Sequence, residues 1–170
     1  IDVNNINELA EKIKGYDVLI SAFSAGWSNP NYHEDYMNSS ISIQKAVILA
    51  SIPRYIVIGG SGSLYVAEGV QAVDTDTFPE EFKTVARAAK EYFLNHLKSE
   101  DTLNWLYFSP PFEMHPGITI GRTGNYRFGT LNPIFDNNGK CFISVEDLAV
   151  AIVDEVENNK FNRTIYTVAY

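Results

Sequence analysis

The sequence predicts an α/β fold with a mostly parallel sheet, and three observations predict it. Short runs of continuous apolar residues, such as YDVLIS at Tyr16–Ser21 and RYIVI at Arg54–Ile58, alternate with stretches of helical period. A run apolar at successive positions marks a strand buried on both faces, as in a sheet covered by helices. The order strand, helix, strand, helix, strand with short connections implies βαβ units with right-handed crossovers. Finally, the strand at Arg54–Ile58 runs straight into Gly59-Gly60-Ser61-Gly62-Ser63. Glycines at a strand's carboxyl end open the place where such sheets bind ligands. Taken alone, the same run also reads as a tight turn after a core strand.

Taken in order, Ile1–Val3 reads as the stub of a strand. Asn4 or Asn5 then caps a helix through Leu9, Ala10 and Ile13, stopped by Gly15. After the strand Tyr16–Ser21 comes a loop of small and aromatic residues, AFSAGWSNPNYH. A helix follows from about Glu34 to Ser51, with Pro53 as terminator before the strand Arg54–Ile58. Tyr65–Phe78 shows no period and reads as a loop. Pro79 opens a helix with an apolar stripe at Phe82, Val85, Ala86, Ala89, Tyr92, Phe93 and Leu97. Leu103–Phe108 is a further buried strand, stopped by Ser109-Pro110-Pro111. Residues 112–140 are rich in Gly, Pro, Asn and Thr, with a strand-like piece at Asn125–Phe128, and are expected to form a small substrate lobe within a single domain, 1–170. Ser144-Val145-Glu146-Asp147 is a capping box for a helix through Leu148, Ile152 and Val156, and Thr164–Val168 is the last strand.

The composition narrows the function. The chain has 170 residues, 45% of them hydrophobic, and a net charge of −8, which suits one globular domain and argues against nucleic acid as a partner. Cys141 is the one cysteine, in the apolar run KCFIS, so it reads as a packing residue and excludes an internal disulfide or a multi-cysteine metal site. No apolar run approaches the ~20 residues of a membrane span, so a cytoplasmic protein with no membrane partner is the default. A homodimer is compatible with this composition. His33, His96 and His115 have no metal-ligand spacing, and no metal is expected.

Four segments point at one crevice in a parallel sheet: Asp2-Val3, Ser21–Gly26, Gly59–Ser63 and Ser109–Phe112. Asp2 could hydrogen-bond an adenine or ribose, or serve as a helix cap. Ser61 and Ser63 could aim hydroxyls at a nicotinamide or a substrate carbonyl, or hold the turn locally. Lys83, on the following helix, could reach back toward a ribose, or stay solvated. His33 and His115 fall in loops near the crevice as candidate proton donors, although His33 beside Glu34 and Asp35 also reads as a charge partner.

Together YDVLISAF, RYIVIGGSGSL, DTFPEEFK, WLYFSPP, RTGNYRFG, FISVEDLAVAIVDEVEN and YTVAY resemble the atypical short-chain dehydrogenase/reductase proteins. Within them the similarity is to the NAD(P)H-binding, NmrA-like set with NADH-flavin reductase members. The resemblance implies a Rossmann-like, three-layer α/β/α fold binding NADP or NAD, with FMN or FAD as a candidate substrate. It implies that Asp2 and Val3 flank the adenine, that Ser21, Ala22 and Phe23 line the ribose and pyrophosphate side, and that Gly59, Gly60 and Ser61 border the nicotinamide. Pro110, Pro111 and Phe112 would cover it, and Ser61 and Lys83 are the candidate catalytic pair. The Tyr-x-x-x-Lys pair of ordinary members is absent, with Phe82-Lys83 in that region. So is the G-x-x-G-x-x-G turn, since members begin with two βα units, roughly 60 to 70 residues, before the point matching Ile1. A fragment with an open strand edge is therefore the expectation.

Two functions fit. One is a reductase passing hydride from NAD(P)H to a flavin, quinone or similar small acceptor, which demands little of the protein. The other is an NmrA-like regulator that binds the dinucleotide and acts through a protein partner. A remnant unable to bind cofactor is the third expectation.

Overall fold

The computed structural model describes residues 1–170. Its elements are α1 (Ile6–Ile13), β1 (Val18–Ser21), α2 (Tyr32–Leu49), β2 (Arg54–Ile58), β3 (Tyr65–Ala67), β4 (Val70–Gln71), α3 (Glu80–Tyr92), β5 (Trp105–Phe108), β6 (Arg127–Gly129), α4 (Val145–Asn158) and β7 (Thr164–Ala169). Strands β1, β2, β5 and β7 pair in parallel in that order, and β6 joins antiparallel beyond β7. This is a Rossmann-like α/β fold.

The period of two along each strand divides the core. Tyr55, Val57, Trp105, Tyr107 and Ile165 face α2 and α3 in one apolar cluster. Their neighbours Ile56, Leu106, Phe108, Tyr166 and Val168 face α4 in the other. All four residues of β5 are buried, as a central strand between two helical layers requires. Burying one such side chain contributes about 1.5–3 kcal/mol, so these alternating residues hold the layers together.

The local signals act largely as expected. Asn5 caps α1 by accepting from the Glu8 amide, and Gly15 takes the positive φ of 86° that ends that turn. Ser144 caps α4 by accepting from the Asp147 amide at 3.1 Å. The box is only half formed, because the Asp147 carboxylate holds a different segment.

Four local expectations are corrected. Ile1–Val3 pairs with no strand and leads instead into a turn at Val3-Asn4, closed by the Asn5 amide on the Asp2 carbonyl at 3.0 Å. Tyr65–Phe78 contains the β3–β4 hairpin, turning at Gly69 with φ +71°. The helix after Pro79 loosens at Phe93–Leu97 into a π-helical turn, with the Lys98 amide reaching the Phe93 carbonyl at 2.8 Å. The strand in the 112–140 segment is Arg127–Gly129 and belongs to the main sheet. Strand β1 lies at one edge of the sheet, where Ile20 is 46% exposed.

Candidate functional site

Because β1, β2 and β5 are parallel, their carboxyl ends release Ala22-Phe23, Gly59–Gly62 and Pro110–Phe112 onto one cavity of about 480 Å³. Its lining is mainly apolar and aromatic. Tyr32 and Tyr36, on the first turns of α2, stack with ring centroids 5.7 Å apart. Trp27 meets Phe82 of α3 edge to face at 5.8 Å. The rim residues Phe112 and Met114 flank Glu113, whose backbone pairs with Cys141 and Ile143.

A second, more polar cavity of about 920 Å³ is lined by Asp2, Val3, Asn38, Ser42 and Lys45 among others. The two share Phe23 and Ser24, so they form one trough, polar at the Asp2 end and aromatic at the Phe112 end. Nothing in the sequence shows the two meeting.

The Gly-Ser run is shaped from beneath. Tyr107 on β5 passes so close under Gly59 that a Cβ there would lie 2.1 Å from its ring. Its hydroxyl donates to the Ala89 carbonyl at 3.2 Å and lies 3.1 Å from the Ser63 hydroxyl. With one proton already given to Ala89, Tyr107 accepts from Ser63. Burial pushes the Tyr107 phenol up to about 12, partly opposed by the hydrogen bond with Ser63. Gly60 is different: a Cβ there would meet nothing within 4 Å, so its backbone is open to the cavity.

The candidate residues divide accordingly. Asp2 and Val3 line the polar cavity. Ala22, Phe23, Gly59, Gly60, Ser61, Pro110, Pro111 and Phe112 line the aromatic one. Ser21 instead supports Tyr55, whose phenol burial raises to about 12 while hydrogen bonds with Tyr92 and Ser21 oppose the rise. Ser63 is fully buried on Tyr107, which corrects the reading of its hydroxyl as crevice-facing. Lys83 lies outside the cavity wall, its ammonium 2.7 Å from Glu80 Oε2 one helical turn back. His33 pairs with Glu91 at 2.8 Å rather than with its sequence neighbours, and His115 holds the Gly117 amide. Cys141 is buried, and that burial raises its thiol pKa. No group of His, Cys, Asp or Glu side chains is arranged to hold a metal ion, and no helix is long and apolar enough to cross a membrane.

The profile of the NAD(P)H-binding family matches residues 1–159. The chain belongs to this NAD(P)H-binding family. It is 34% identical over 161 residues to the uncharacterized protein YwnB of Bacillus subtilis, covering 94% of this chain and 73% of that protein. A solved structure from Bacteroides thetaiotaomicron, provisionally named an epimerase, superposes with a TM-score of 0.88 at 37% identity, covering 99% of this chain and 74% of that one. Another from Streptococcus pneumoniae, provisionally named an NADH-flavin reductase, gives a TM-score of 0.84 at 30% identity, covering 97% and 77%. The NAD(P)H-binding resemblance read from the motifs is thereby borne out.

Sequence reasoning passed over much of this site. Trp27, Tyr32 and Tyr36 lay in the aromatic loop after β1 and the helix beyond, where nothing but their aromatic character set them apart. Phe78 and Phe82 read as parts of a loop and a core stripe, yet both line the cavity. Strand order decides this, by bringing the start of α3 beside the end of β2.

Proposed function

We propose that the protein is an NAD(P)H-dependent reductase that passes hydride to a small planar acceptor of the flavin or quinone type. The observation that carries this reading is the trough, whose polarity follows that of a dinucleotide. The polar cavity offers Asp2, Asn38, Ser42 and Lys45 to a purine nucleoside, and the aromatic cavity takes a flat, less polar ring against open Gly60. When bound there, NADP or NAD supplies the hydride. The chain's own part is to orient and to exclude water. Phe23 and Ser24 form the waist between the two ends, and Tyr32, Tyr36, Trp27 and Phe82 enclose the aromatic end. The Ser61 hydroxyl has no hydrogen-bond partner in the protein and is free to donate to an acceptor oxygen as charge develops on it.

One observation favours an NmrA-like regulatory role instead. Lys83, in the region of the missing Tyr-x-x-x-Lys pair, is held by Glu80 and stands outside the cavity wall. Titration with NADPH and NADH, followed by nicotinamide fluorescence, tests cofactor binding. Loss of absorbance at the nicotinamide band with menadione or flavin mononucleotide tests reduction. Tight binding with no turnover on any acceptor would give the regulatory reading the field, and no binding would remove both.

A further inference from the structure

A third cavity of about 390 Å³ lies beyond the aromatic one. The two share four residues, Ser61, Phe78, Phe82 and Phe112, so the cavities adjoin at these side chains. Its own walls are Val66 of β3, with Ala72, Thr75, Thr77 and Pro79 on the turns leading to α3. Every polar side chain in the lining is a hydroxyl, from Ser61, Thr75 or Thr77, and none is ionisable.

The hydroxyls are unequally committed. Thr75 donates to the Ala72 carbonyl at 2.7 Å, so in the 3.1 Å contact between the two threonines Thr77 donates to Thr75. Ser61 makes no hydrogen bond through its side chain. One hydroxyl donor, Ser61, is therefore free at a wall of aromatic and aliphatic carbon. The surrounding chain is acidic, with Asp74, Asp76, Glu80 and Glu81 flanking the lining in sequence. The two nearby lysines are already paired, Lys90 with Asp74 at 2.6 Å and Lys83 with Glu80 at 2.7 Å. An anion in this chamber would find no charged group in the lining to pair with, and has the carboxylates of Asp76 and Glu81 close by in sequence. A carbonyl oxygen would lose little and gain a hydroxyl donor.

We propose that this third cavity is the acceptor chamber and takes an uncharged quinone or carbonyl compound, discriminating against phosphorylated flavins and other anionic acceptors. The inference rests on the aromatic cavity being the nicotinamide end of the trough, and it narrows the acceptor class given above. In the step this implies, the acceptor carbonyl receives a hydride from reduced nicotinamide and a proton from water. The nicotinamide is thereby oxidised and the quinone leaves as a hydroquinone. Ser61, on the wall of both chambers, donates a hydrogen bond to the oxygen that becomes the hydroxyl.

The test measures binding separately from turnover. Trp27, edge-on to Phe82, reports on the junction of the two cavities through its fluorescence. Menadione should quench it saturably, while naphthoquinone sulfonate and flavin mononucleotide should bind at least tenfold more weakly. Thr77 is exposed, so Thr77→Phe leaves the fold intact and fills part of the chamber. It should weaken menadione at least tenfold while NADPH binding, read by nicotinamide fluorescence, stays unchanged. Menadione binding that Thr77→Phe leaves unaltered, an absence of saturable menadione binding, or flavin mononucleotide binding as well as menadione would each overturn the proposal. Failure of NADPH to bind would instead remove the dinucleotide reading of the trough, with the menadione measurements still deciding what this chamber holds.

Discussion

Gly59→Ala tests whether the floor of the site is built as described. The added Cβ would lie 2.1 Å from Tyr107 Cζ and 2.3 Å from its hydroxyl oxygen, well inside van der Waals contact. The ring has no room to yield, because it is fully buried, packs on Phe93 at a centroid distance of 4.7 Å, and is held through its hydroxyl by Ala89 and Ser63. Overpacking of this kind costs about 1–3 kcal/mol. Displacing the hydroxyl from its partners adds about 1 kcal/mol for each hydrogen bond. The expected loss is thus about 3–5 kcal/mol in denaturant unfolding, a large share of the ~5–15 kcal/mol of an ordinary domain. Tyr107→Leu removes the clash, so Gly59→Ala in that background should cost clearly less than alone, giving a coupling energy of about 1–3 kcal/mol. If Gly59→Ala unfolds at the wild-type midpoint, or costs as much without Tyr107 as with it, the account of the Gly-Ser run is wrong.

Three further outcomes follow from the same geometry. Ser61→Ala should lower kcat with menadione by roughly 100- to 1000-fold with NADPH affinity unchanged, whereas a shift confined to KM would show that the serine only binds the acceptor. Glu155→Gln breaks the buried pair in which Arg54 Nη2 lies 2.5 Å from Glu155 Oε1. It should cost about 3–5 kcal/mol in urea unfolding, and Arg54→Met with Glu155→Leu should recover most of that. Asp147 gives a pH dependence: burial alone would raise its carboxyl, but donors from Thr123, Tyr170 and the Gly124 amide outweigh it and hold it at about 2. A folded pKa below the unfolded value near 3.8 means that this contribution is complete above about pH 4 and fades as pH falls toward 2. Asp147→Asn should therefore unfold more easily by about 1–3 kcal/mol at neutral pH and show a flatter acid limb in thermal unfolding, and equal acid limbs would refute the clamp.

Local signals carried well from sequence to structure where one segment decides the outcome. The apolar run Arg54–Ile58 is a strand buried along most of its length, Asn5 and Ser144 cap their helices, and Cys141 is a packing residue. They carried poorly where a distant partner decides. Ile1–Val3 has strand composition but no neighbouring strand, and Arg127–Gly129 finds one only because β7 ends the sheet beside it. Ser61 and Ser63 lie two residues apart in the same Gly-Ser run. Tyr107, 44 residues from Ser63, captures one hydroxyl and leaves the other at the junction of two cavities. Lys83 looked equally free until Glu80, one turn earlier, proved to hold it.

The sequence by itself determined the class of the fold, the helix–strand order and the end of the sheet at which the glycine-bearing loops converge. Those follow from periodicity, glycine placement and the geometry of parallel strands, all short-range or topological. Only the tertiary structure decided which aromatic side chains wall the trough, that its polar and aromatic ends meet at Phe23 and Ser24, and that a chamber of hydroxyls lies beyond Phe82. A cavity is the space that packed elements leave between them. Its shape and polarity depend on contacts across the whole chain, which no window of sequence contains.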